Sequence, residues 1–356
     1  MNKIMWTKYI VIFLVSFCMV LPILSPNSTI AEGDLLIFFP SLYEFPWEAM
    51  WTPELSGGTP RFINPQLGHL YPLSWPFAYD FHTYLPVYFL LHVWISGLGI
   101  FYWLSHRRTS YPLFGTLLYS CSGVMFGLIT KPDKLAGYAF LPWFMLGLEL
   151  LFSKEHHHKG WLIAVLSYAF AWFGGSVEGC VIMTLWGVCI ACTQTKRVRS
   201  VGWLVAVGMG AGLIISVNLI PLLFHLPYTT RAQGVDWDQM TKLSMQLVDL
   251  TRMFVVDDAY SPIADMSLRE HYLPSMYIGI SGFFFTCIGL FAYSNRGLWL
   301  AIGLFFLLAL GSSTPAYELV SNIPLLKTIQ YPEKYWMGVM PVLAYWGAQG
   351  LSLIHI

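Results

Sequence analysis

The chain has 356 residues, 56% hydrophobic and only 11% charged, with zero formal net charge and a mean hydropathy of +0.59. Those values lie outside the range of soluble globular domains and mark an all-α polytopic membrane protein. Balanced charge without a clustered basic face excludes a nucleic-acid partner.

The N-terminal stretch "MNKIMWTKYIVIFLVSFCMVLPILS" reads as a signal peptide or a first spanning helix. No small-x-small cleavage site follows it, which favours an uncleaved anchor. In all, about ten apolar runs have roughly the length that crosses a bilayer. They lie near 8–25, 84–104, 111–130, 137–153, 161–174, 179–194, 201–226, 275–293, 297–312 and 337–356. With the N-terminus inside, the inner connectors collect Lys3, Lys8, Arg107, Arg108, Lys154, Lys159, Lys196, Arg197, Arg199 and Arg296 against a single clear acid, Glu155. Most other acids fall on the opposite side, so the topology drawn from hydropathy satisfies the positive-inside rule. The expected location is a membrane, with the N-terminus on its cytoplasmic side.

Inner connectors are short, whereas the outer side carries two long loops, 26–83 and 227–274. Long loops in a compact protein usually carry function; the plainer alternative is that they cap the bundle. The first is rich in Trp, Phe, Tyr and Pro, unlike a disordered segment, and is expected to pack along the membrane interface. The six cysteines (Cys18, Cys121, Cys180, Cys189, Cys192, Cys287) sit inside apolar runs and read as small packing residues. "GMGAG" at 208–212 falls inside a helix, where close helix packing explains it better than a phosphate loop.

Asp34, in "EGDLLIFFP", is a carboxylate in an apolar neighbourhood, where desolvation would make it a better base; a helix cap is the alternative. "SGGTPRFINPQLGHLYP" supplies Arg61, Asn64, Gln66 and His69, hydrogen-bonding groups that suit a sugar or satisfy their own loop's backbone. "GGSVEG" puts Glu178 in a glycine-lined outer turn, a functional candidate or a simple surface turn. Outer cations, among them Lys131, Lys134, Arg231, Lys242, Arg252, Arg269, Lys327 and Lys334, are candidates for binding an anion such as lipid phosphate. No Cys/His spacing calls for a metal, and the run His156–His158 has no role.

Taken in order, "EGDLLIFFP", "SGGTPRFINPQLGHLYP", the turn leading to "AFLPW", "NLIPLLFHLPYTTRAQG", "HYLPSMYIGISGFF" and "LLALGSSTPAYELVSNIPLLKTIQYPEKYW" resemble the YfhO family of bacterial membrane proteins. These belong with the polytopic GT-C-type glycosyltransferases. Two segments depart from the pattern: "GGSVEG" stands where a "GHPQ"-like turn is expected, and Gln330-Tyr331-Pro332-Glu333-Lys334 where Arg-x-Pro-x-Arg is expected. Related proteins run longer, so the resemblance implies that this chain is a fragment.

The resemblance implies a GT-C-like bundle whose large first outer loop carries a catalytic carboxylate, Asp34 by position. It also implies transfer of a sugar from a polyprenyl-phosphate donor to an extracytoplasmic acceptor: a cell-wall or teichoic-acid polymer, a glycolipid or a protein. One base suffices because lipid phosphate is already a good leaving group. Asp34 would deprotonate the acceptor, Arg231, Arg269 or Lys334 would stabilise the departing phosphate, and in-line displacement would invert the anomeric centre. A divalent cation (Mg or Mn) on Asp257–Asp258 is compatible, though no spacing demands it. The alternatives are a transporter or flippase of a lipid-linked or anionic substrate, and a non-catalytic envelope assembly protein. Transport is disfavoured by apolar segments that hold few ionisable groups beyond His92, Glu149 and His225.

Overall fold

The computed structural model describes residues 3–23, 51–52, 58–153, 156–229, 235–255, 272–273, 275–292, 295–323 and 329–354. Helix occupies each of the ten apolar runs. The main elements are α1 (Lys3–Val20), α2 (Phe81–His106), α3 (Pro112–Ser120), α4 (Gly123–Gly127), α5 (Pro132–Phe152), α6 (His157–Phe173), α7 (Val177–Thr193) and α8 (Arg197–His225). After them come α9 (Trp237–Thr241), α10 (Ile280–Ala292), α11 (Arg296–Leu310), α12 (Ala316–Ser321) and α13 (Met340–Ile354), the last entered through a 3-10 turn at Pro332–Gly338. One short antiparallel pair, Trp51–Thr52 with Thr59–Pro60, is the only strand structure among the described residues.

Local signals explain several boundaries. Asp80 caps α2, its carboxylate accepting from Thr83 N at 3.1 Å, and Asn295 caps α11, accepting from Gly297 N and Leu298 N. Proline at the first turn starts α3 and α5, where its missing N–H costs nothing. Prolines inside α2, α5 and α8 are of the kind tolerated in membrane helices.

Seven described helical segments are long and apolar enough to cross a membrane, and Val177–Thr193 and Ile280–Ala292 are shorter apolar helices. Burial settles which solvent the outside meets. The two most apolar spans, those of α8 (hydropathy 2.0) and α1 (1.9), are also the least buried, at 22% and 17%, whereas those of α5 and α13 reach 78% and 83%. A water-soluble bundle would bury its most apolar helices. Here Met209, Leu213, Phe224 and Phe291 stand on the outside, which fits a chain surrounded by lipid. This is a membrane protein.

The bundle is organised around α5, which packs most extensively on α6 and also on α2, and around the pairing of α10 with α13. That second pair approaches backbone to backbone: a Cβ on Gly289 would lie 1.9 Å from the Trp346 carbonyl oxygen, and one on Gly350 as close to that of Phe285. Small residues play this part in membrane helix packing. In "GMGAG", Gly210 does so, facing Trp161, and Ala211 is buried, while Gly208 and Gly212 face open space. The packing role expected of the cysteines holds for the buried Cys180 and Cys189; Cys18, Cys121 and Cys192 are exposed, the first and last on the outward sides of α1 and α7 and Cys121 in the turn after α3.

The described part of the first loop packs, as expected, and it does so against one end of the bundle. Arg61, Leu67, Tyr71 and Phe77 are all buried, and the Tyr71 hydroxyl hydrogen-bonds His92 Nε2 at 2.7 Å. At this end, the loop end, α5 and α7 begin and the Pro332–Gly338 turn enters α13.

Candidate functional site

Four separate stretches of chain meet at the loop end around one carboxylate. Glu178, in the first turn of α7, accepts from Lys134 Nζ and from Lys334 Nζ, each at 2.6 Å and each to a different oxygen. Lys134 also pairs with Asp133 at 2.8 Å, and Asp133 accepts from Gln66 Nε2 at 3.0 Å. The network is dry: the side chains of Asp133, Lys134 and Lys334 are 3–6% exposed and that of Glu178 is 18% exposed. Charges so placed persist only when paired.

Glycine makes this convergence feasible. Gly175 has φ +93°, a left-handed conformation that side chains avoid, and a Cβ there would lie 3.1 Å from both Asp133 Cβ and Gln66 Cα. On α5, a Cβ at Gly137 would sit 2.1 Å from Ser176 Oγ and 3.0 Å from Gly179 Cα. With a larger residue at these points, α5 and the 174–179 turn could not approach closely enough for Lys134 to reach Glu178.

Lys334 is fixed on a third side by aromatic rings. It lies 4.7 Å from the ring centre of Tyr272 and 5.1 Å from that of Tyr331, and the two rings stack at 5.5 Å. Lys131 faces the same Tyr272 ring at 5.1 Å. Tyr331 has φ +65°, which for a bulky residue costs on the order of 1–3 kcal/mol and is typical of functional sites. Burial pushes the Tyr272 hydroxyl well above its ordinary pKa, so that ring stays neutral. A second buried pair holds its far side. Arg252 donates to Glu333 at 2.7 Å, and Glu333 also accepts from the backbone N–H groups of Tyr272 and Leu273.

The donors outnumber the acceptors that claim them. A lysine has three N–H bonds. Among the described residues, Lys134 uses two of them and Lys334 one. The buried hydroxyls of Ser176, Tyr317 and Tyr335 have no hydrogen-bond partner there either. Such groups are rare in native structures, and this set could hold the oxygen atoms of a phosphate or a sugar.

Of the residues singled out from sequence, Gln66, Lys134, Glu178 and Lys334 thus come together. Asn64 does not join them: its Oδ1 accepts from Gln66 N at 3.0 Å and caps the 65–67 turn. Asn64 and His69 line a cavity of about 20 Å³ with Trp172 and Asn218, roughly room for one water. Burial first, and then the nearby Arg61 charge, lowers the His69 pKa to about 4. Asp34, Arg231, Arg269 and Asp257–Asp258 lie outside the described residues, as do Lys327 and much of both long loops. The sequence reading did not select Asp133, Tyr272 or Glu333, and it took Arg252 as an anion-binding cation rather than as the partner of Glu333. The charge-dense start of a helix in "KPDKLAGY" was the available signal for the first of these.

Compared with known proteins, the chain matches no family model, no curated protein and no solved structure.

Proposed function

We propose that the protein is a GT-C-type membrane glycosyltransferase. In this reading all ten helices cross the bacterial inner membrane, the N-terminus is cytoplasmic, and the loop end faces outward. The carrying observation is the dry Lys134–Glu178–Lys334 clamp, with unclaimed lysine N–H donors beside buried, unpartnered hydroxyls. Preorganised donors in a water-poor site are what a developing phosphate charge requires. The YfhO-like order of segments supplies the substrate class, a polyprenyl-phosphate sugar, and the extracytoplasmic acceptor.

In the proposed reaction an acceptor hydroxyl attacks the anomeric carbon and its proton passes to Asp34. The new C–O bond forms as the bond to the phosphate oxygen breaks, and polyprenyl phosphate leaves with that electron pair. Lys134 and Lys334, joined by Arg231 or Arg269, neutralise the leaving phosphate, while Glu178 holds the two lysines apart and in place. Gln66 acts through Asp133, and Arg61, Asn64 and His69 shape the loop around the sugar. A divalent cation on Asp257–Asp258 belongs to the same reading, and no step above runs through it. Transport is the weaker reading because His92, deep in the bundle, has both ring nitrogens engaged, by Tyr71 OH and by the Tyr88 carbonyl.

The test is incubation of the protein, in native membranes, with a radiolabelled polyprenyl-phosphate hexose. Label moving into a covalent product, with release of polyprenyl phosphate, supports transfer. Label crossing sealed vesicles intact, with no product, overturns it in favour of transport.

A further inference from the structure

A second polar site lies at the opposite end of the bundle, where α2, α5 and α7 end and α11 begins. It is a cavity of about 590 Å³, within the size range of small-molecule sites. Its lining is amphipathic: His106, Arg107 and Arg296 on the polar side, Trp186, Ile190 and Leu298 on the apolar side. Trp186 is fully buried and donates its indole N–H to the Gly338 carbonyl at 3.0 Å, so it backs the wall without opening onto the cavity, and Phe152 is the half-buried apolar residue of the lining.

The polar side is built rather than incidental. Arg107 packs against the rings of Trp103 and Tyr345, at 4.8 and 5.3 Å. Its Nε and Nη2 both bind one oxygen of Glu149, at 2.8 and 2.6 Å, and Trp103 Nε1 donates to the same oxygen at 3.0 Å. The Nη1 edge of the guanidinium is left without a partner among the described residues. Arg296 makes no ion pair with any described residue. The α11 cap donors Gly297 N and Leu298 N are already taken by Asn295, so the arginines are the charged groups of the lining that can bind an anion. Two guanidinium groups against one carboxylate leave the cavity positive. Arginine's planar fork matches phosphate oxygens.

We propose that this cavity binds the phosphate group of an amphiphile, with the phosphate on Arg107 and Arg296 and the adjoining apolar part against Phe152, the apolar lining residue that is only half-buried. The position fits a lipid headgroup, since the helices that line it end there and the apolar exterior of the bundle lies alongside. The site is separate from the lysine clamp and does not depend on the transferase reading.

The test uses the whole protein in phosphatidylcholine nanodiscs and a phosphatidic acid probe carrying a diazirine next to its glycerol. Adducts are expected on segments 186–194 and 295–298, competed by unlabelled phosphatidic acid and not by added phosphatidylcholine. Arg296→Gln, at an exposed position whose side chain pairs with no described residue, should cut labelling about ten-fold, the loss expected for one charged hydrogen-bonding group. Thr193→Phe, which narrows the cavity from α7, should do the same with Arg296 intact. Competition by inorganic phosphate at equal concentration would keep the phosphate chemistry and assign the site to the free anion. Absent labelling, adducts spread over the whole exterior, equal competition by phosphatidylcholine, or full labelling in both variants would overturn the proposal.

Discussion

Replacing Glu178 by glutamine removes one negative charge that two buried lysines share. Lys134 keeps Asp133 at 2.8 Å, but Lys334 has no other carboxylate within ion-pair reach among the described residues, and both lysines are only 6% exposed. Breaking a buried pair by removing one partner typically costs about 3–5 kcal/mol. Glu178 itself is 18% exposed, which admits some water, so a loss near the lower end, about 3 kcal/mol, is expected. Lys334→Met should cost less, because Glu178 keeps Lys134 and the methionine can still pack against Tyr272 and Tyr331. The assay is reversible unfolding in mixed micelles with increasing denaturing detergent, comparing wild type, both single variants and the double variant. Non-additivity of about 1 kcal/mol or more is expected for residues in direct contact. A loss below about 1 kcal/mol for Glu178→Gln, the magnitude of an exposed pair, would refute the reading of this network as dry and structural.

Three further outcomes follow from the same end of the bundle. Because the His69 pKa is lowered to about 4 from 6.5, the unfolded chain binds the extra proton first. The contribution of neutral His69 is therefore complete above pH 6.5 and lost as pH falls toward 4, by up to about 3 kcal/mol; unfolding of wild type and His69→Gln between pH 7 and 4 measures it, and equal pH dependence of the two would contradict it. Gly137→Ala drives a methyl into Ser176 and should cost on the order of 1–3 kcal/mol, with partial recovery in Gly137→Ala/Ser176→Gly; no recovery would place the strain elsewhere. Arg252→Met strips the buried Glu333 of its guanidinium partner and should cost about 3–5 kcal/mol, read as a lowered unfolding midpoint.

Much of the fold is legible in the sequence because lipid imposes a simple rule: an apolar run of sufficient length becomes a helix. Caps were legible too, and "NPQL" shows how easily they are misassigned. Asn64 reads as a sugar ligand when its polarity is weighed, yet Asn followed by Pro is a helix-start signature, and the structure uses it as one. Glu178 could be singled out because a carboxylate in a glycine-rich turn at membrane depth is costly without partners. Its partners could not be read. Lys134 and Lys334 are 44 and 156 residues away, and only the close approach at Gly137 and Gly175 brings them together. Nor does the sequence reveal the arginine-lined cavity at the other end, since Arg107 and Arg296 look there like ordinary inner-loop charges. Helix register turns them toward a common space.

The central claim is sugar transfer with Asp34 as base, and the most direct measurement is transfer by Asp34→Asn beside wild type and Glu178→Gln, at matched membrane abundance. Loss of labelled product in Asp34→Asn, with abundance and unfolding unchanged, is the expected result. Glu178→Gln should lower product through misplaced lysines. Undiminished product from Asp34→Asn would contradict the assignment of the base, and with it the chemistry proposed for the loop end.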